Sequence, residues 1–133
     1  MSSTFEVKET EAMQVLKQII VGLKKITGKE DLKVRYKSPH SMEVNLKLTP
    51  EQYKEFVHWL ETQGYTLNNW YASLSDYSED GYEKYYIIDD YRKVRSNGEF
   101  ANKEIDVEYY YVIDHGEKYY LIKSVTFYND ITV

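Results

Sequence analysis

Glu104, Asp106 and Glu108 occupy alternate positions of a stretch rich in tyrosine and β-branched residues. In an extended strand, alternate residues share one face and lie roughly 6.8 Å apart. That row resembles the run of phosphates along one DNA strand. Joined by Asp89, Asp90 and Asp114, with Tyr86 and Tyr110 as flanking rings, it could imitate a nucleic-acid backbone and occupy a basic groove on another protein. The plainer reading of the same residues is a solvated sheet face. A three-carboxylate metal site ranks lower, because nothing in the sequence fixes these side chains in a closed cage.

Other candidate chemistry is thinner. Asp76, Ser78, Asp80 and Gly81 match the opening of a calcium loop, with oxygen ligands at positions 1, 3 and 5 and glycine at 6. Position 12 is then Ile87 where a bidentate Glu is needed, and the flanks read as strands, so an acidic turn is the better account. His40, His58 and His115 have no metal-ligand or triad partner at a recognisable spacing. No glycine-rich loop exists to cradle a phosphate. No catalytic set emerges, no cofactor is called for, and the reading leans away from an enzyme.

The chain has 133 residues, which suits a single domain with a real core. It has no cysteine, which removes disulfides, thiolate metal sites and a cysteine nucleophile, and fits a reducing compartment. No charged-then-apolar leader opens it, and Val15 to Ile26 is too short and too charged to span a membrane, so a cytoplasmic location is expected. The net charge of −5 is unevenly spread: residues 1–50 carry nine Lys/Arg against six Asp/Glu, while residues 51–133 carry eight against sixteen. An acidic second half repels phosphates, which disfavours direct nucleic-acid binding despite the stacking rings.

The elements that must position these residues follow from periodicity. Residues 5–27 read as an amphipathic helix, with Ala12, Leu16, Ile19, Ile20, Leu23 and Ile26 in one stripe and either Ser3 with Glu6 or Thr10 as its start. Gly22 inside it points to close packing, and Gly28 suits the C-terminal cap. Residues 32–48 alternate as a hairpin through Ser38-Pro39-His40, with Tyr36 opposite Met42, Val34 opposite Val44, Leu32 opposite Leu46 and Arg35 opposite Glu43. Thr49-Pro50-Glu51-Gln52 is a helix start with a capping box, and Gly64 closes that helix.

From Tyr65 the pattern turns to strands: 65–74, a polar loop at 75–81, then 82–95, 100–114 and 118–128, with turns at Asn97-Gly98 and His115-Gly116. The fold class is therefore α+β: two helices on an antiparallel sheet, in the order helix, hairpin, helix, then a three- or four-strand meander. The last hairpin admits two registers. A two-residue loop places Glu108 opposite Lys123. A three-residue loop pairs Tyr109 with Leu121, Tyr111 with Tyr119 and Ile105 with Val125, and the apolar face favours this second choice.

Fifteen tyrosines are more than a core of this size requires. Tyr109 and Tyr111 point one way and Tyr110 the other, so both sheet faces present phenol rings, as recognition surfaces often do. In composition the chain is similar to small acidic proteins of phages and mobile elements of low-GC bacteria, some of which inhibit host defence enzymes. The likeness assigns no residue. Three functional readings compete: an interaction protein that presents acidic and tyrosine residues to a partner with a basic surface; a small-molecule binder or enzyme with a tyrosine-lined pocket in a curved sheet, by analogy with the cone of NTF2-like folds; and a homo-oligomer that uses an exposed strand edge.

Overall fold

Thr10 starts the first helix: its hydroxyl accepts the Met13 N–H at 3.3 Å. In this computed structural model, which describes residues 10–129, α1 spans Glu11–Thr27. The other start, Ser3 with Glu6, lies outside the described residues, as does the helical reading of residues 5–9. Gly28 closes α1 in the left-handed region at φ 69°, where a side chain would be strained, and its N–H reaches Lys24 O at 2.9 Å. The second helix, α2 (Pro50–Thr62), begins with the expected capping box, Gln52 N–H to Thr49 Oγ1 at 3.1 Å and Thr49 N–H to Gln52 Oε1 at 2.9 Å.

Six strands follow the alternating patterns: β1 (Arg35–Ser38), β2 (Ser41–Leu48), β3 (Tyr65–Ser78), β4 (Tyr82–Val94), β5 (Phe100–Asp114) and β6 (Glu117–Asn129). They form one antiparallel sheet in the order β1-β2-β6-β5-β4-β3. The α+β class holds, with two helices and one six-stranded sheet. The count exceeds the three or four strands expected of the meander because β2 pairs with β6 and joins the hairpin to the later strands. Two boundaries also move. Arg35 and Tyr36 face Glu43 and Met42 as expected, but Leu32 and Val34 pack on the core as irregular chain instead of pairing with Leu46 and Val44. The polar run from Ser75 to Ser78 extends β3, since pairing with Tyr82–Lys84 satisfies its backbone.

The last hairpin takes neither proposed register along its length. Near the turn it adopts the two-residue loop, Asp114 opposite Glu117 and Tyr111 opposite Tyr120; beyond a bulge at Lys123, Glu108 faces Ser124 and Val107 faces Val125. The preferred three-residue register is therefore overturned. The cause is a change of phase within β6: Ile122 is buried, then Val125 and Phe127, and only an extra residue between them keeps all three on one face.

Both helices cover the same side of the sheet. Leu16, Ile19 and Leu23 of α1 and Phe56 and Leu60 of α2 are fully buried against Met42, Leu48, Ile105, Val107, Ile122 and Phe127. Gly22 admits the close approach expected of it, since a Cβ there would stand 3.0 Å from the Trp59 ring. No helix among the described residues is long and apolar enough to cross a membrane.

Candidate functional site

The sheet side that neither helix covers is built from the other phase of the strands. Glu104, Asp106, Glu108, Tyr110 and Asp114 alternate with the buried Ile105, Val107 and Tyr109 of β5, and so point to this open face. Strand β4 supplies Tyr86 opposite Tyr110 and Asp90 opposite Asp106. Seven of the eight residues singled out in the sequence thus share one face. The eighth, Asp89, points the other way, because neighbours along a strand cannot share a face.

The face is chemically mixed along its length. Towards the β5–β6 turn, Lys84 lies 4.2 Å from the Tyr110 ring centroid and Lys47 lies 4.3 Å from that of Tyr119. The two rings Tyr86 and Tyr110 stand 5.7 Å apart. Burial and a hydrogen bond to the Glu108 carboxylate push the Tyr86 phenol up to about 12. Asp114, at the turn, lies 2.6 Å from His115 Nδ1.

Carboxylates converge at the opposite end. Asp90, Glu104 and Asp106 each place one oxygen within 4.8 Å of the other two. Arg92 stands directly across from Glu104, yet its Nε–H goes to Ala101 O at 3.2 Å and its guanidinium lies over the Phe100 ring. Asp106 Oδ1 is sealed from solvent and has no hydrogen-bond partner. Burial, then the adjoining Asp90 and Glu104 carboxylates, push the Asp106 pKa up to about 9. At neutral pH, Asp106 is therefore a carboxylic acid that can share its proton with one neighbour. These three are the one group of metal-ligating side chains among the described residues close enough to hold a cation. Among the calcium-loop residues, Asp76 Oδ1 accepts the Tyr77 N–H at 2.8 Å and Ser78 Oγ the Asp80 N–H at 3.2 Å, the contacts an ordinary turn makes.

On the helix side lies a second arrangement that the sequence reading did not assemble. Asp89 is 7 % exposed, and its Oδ2 accepts from Tyr53 Oη at 2.7 Å, Tyr109 Oη at 2.7 Å and Tyr91 Oη at 3.4 Å. Tyr53 comes from α2 and also stacks on Tyr120 with ring centroids 4.4 Å apart. Burial holds the Tyr53, Tyr91 and Tyr109 phenols well above their usual range, so they remain donors to the carboxylate. The signal was present in the alternation Tyr85, Ile87, Asp89, Tyr91, which places Asp89 in an apolar row. What the sequence could not supply was the helix that brings Tyr53 to it.

No protein-family model, curated protein or solved structure matches the chain.

Proposed function

We propose that this chain is a non-enzymatic interaction module whose open sheet face docks on a basic surface of another protein, through Asp90, Glu104, Asp106 and Glu108 with Tyr86 and Tyr110 beside them. The observation that carries this reading is the placement of Asp90 directly opposite Asp106, with Glu104 beside them and the nearest guanidinium turned away. Holding Asp106 protonated beside two other acids costs stability at neutral pH, and its sealed carboxyl oxygen without a partner adds to that cost. Folding gains nothing from such a cluster. A partner that brings Lys or Arg to the cluster would offset that cost by pairing with its carboxylates.

This reading supports an inhibitory role by occupation of a nucleic-acid groove, in which carboxylates stand where phosphates would lie. The test uses the immobilised chain and the variant Glu104→Gln/Asp106→Asn/Glu108→Gln. Proteins captured from a bacterial lysate at about 50 mM salt should be released by about 500 mM, and double-stranded DNA should compete with the chain for them. The triple variant should unfold at higher urea than the parent yet lose the captured proteins. Equal capture by both forms, with equal salt release, would sink the proposal.

The pocket reading has one observation behind it, the buried Asp89 among tyrosines. Its Oδ2 already receives three hydroxyl groups, and the rings that carry them fill the space in which a ligand would sit.

A further inference from the structure

The two edges of the sheet are unlike. Strand β1 has four residues and is guarded by Arg35 and Lys37, with Pro39 just beyond, the devices that keep an edge from pairing. Strand β3 has fourteen residues and no neighbour on its outer side among the described residues. From Tyr65 to Ser75 it carries no Asp, Glu, Lys or Arg, in a chain that is 29 % charged. Five large hydrophobic side chains stand exposed along it: Leu67 at 49 %, Trp70 at 64 %, Tyr71 at 58 %, Leu74 at 58 % and Tyr77 at 60 %. Leu67, Trp70, Leu74 and Tyr77 stand opposite Tyr91, Asp89, Tyr85 and Glu83 and lie on the helix side of the sheet, beyond the area the helices cover, while Tyr71, opposite Ile88, points to the open face.

We infer that the β3 edge pairs with β3 of a second copy of this chain, antiparallel and about a two-fold axis at Ala72. That axis sets Trp70 opposite Leu74 of the second copy and Leu67 opposite Tyr77 of the second copy, so the four exposed residues on the helix side each gain a cross-strand partner. Asp76, the single acid of β3, falls opposite Asn68 of the second copy, and no carboxylate meets another. The self-matching spacing is what selects a second copy over an unrelated strand. In addition, the bulges near Asn68 and Ser75 lie almost symmetrically about Ala72, which keeps the central stretch regular. Because the axis is perpendicular to the sheet, the open faces of both copies lie on the same side and form one twelve-stranded surface. This pairing uses the edge and not the open face, so it stands or falls separately from the proposed function.

Sedimentation equilibrium of the full chain from about 1 to about 200 µM should show a monomer–dimer equilibrium. Trp70→Lys/Leu74→Lys, with unchanged circular dichroism, should weaken it at least 100-fold by placing lysines on the paired edge. The chain has no cysteine, so Ala72→Cys introduces a single thiol on the axis. Mild oxidation should convert it to a covalent dimer, whereas Thr66→Cys, away from the axis, should stay monomeric. A parent chain that is monomeric at 200 µM overturns the inference. So does a lysine variant that associates as the parent does, or equal cross-linking of the two cysteine variants.

Discussion

Asp106 and Asp89 show how one residue type behaves differently on the two sides of one sheet. Asp106 is crowded by acids, and its pKa in the folded chain, about 9, lies far above the ordinary carboxylate value of 3.8 that the unfolded chain should show. Between those values the folded state binds the extra proton. Stability is therefore full below about pH 4 as far as this group is concerned, and is lost as pH rises through 9. Asp90, Glu104 and Tyr128 face the same spot, and Arg92 stands across from Glu104. Asp106→Asn should flatten the decline, and at pH 8 it should stabilise the chain by about 1–2 kcal/mol. Urea unfolding of both forms from pH 5 to pH 9.5 reads this directly, and parallel curves would refute the assignment. Asp89 has the opposite surroundings, hydroxyl donors in place of acids. Tyr53→Phe keeps the stacking on Tyr120 and deletes one 2.7 Å bond to a charged acceptor. The expected loss is about 2 kcal/mol, measured as a lower urea midpoint with an unchanged slope.

At the scale of elements, the sheet is regular only because two irregularities meet. Strand β6 carries Lys123 as an extra residue, and facing it β2 turns through Asn45 at φ 50°, in the left-handed region. Asn tolerates that region, whereas a β-branched residue does not, although β-branched residues favour strands in general. Asn45→Val should therefore cost about 1–2 kcal/mol, while Asn45→Gly should stay within a few tenths, both measured by urea unfolding. These irregularities also explain what could be read beforehand. The caps at Thr10, Thr49 and Gly28 and the pairing of Arg35 with Glu43 are local, and residue type settles them. The phase change between Ile122 and Val125 was visible as a conflict between two registers, but a bulge resolves it and neither register does. The carboxylate row on β5 was legible from alternation alone. Its meeting with Asp90 depends on how β4 lies against β5, and the Asp89 site depends on α2, so both needed the tertiary structure.

At the scale of the molecule, charge acts over two distances that salt can separate. Residues 51–133 carry sixteen acids against eight bases, and they build four of the six strands. Repulsion among acids spread across those strands acts over distances comparable to the Debye length, about 10 Å at 0.1 M salt, and is screened as salt rises. The oxygens of Asp90, Glu104 and Asp106 lie within 4.8 Å of one another around a sealed atom, which mobile ions screen much less. Raising NaCl from about 10 to about 300 mM should therefore lift the melting temperature of the parent chain by a few degrees, on the order of 1 kcal/mol for a domain of this size. Asp106→Asn should begin higher and gain a similar increment, because its advantage comes from the short-range contact. Binding to the proposed basic partner should respond with the opposite sign, since the same ions weaken attraction between the two proteins. Differential scanning calorimetry at the two salt levels, on both forms, checks the first half of this argument. A salt response that disappears in Asp106→Asn would mean that the cluster alone sets the electrostatic cost of the fold, and the spread of acids over the remaining strands would then have no part in it.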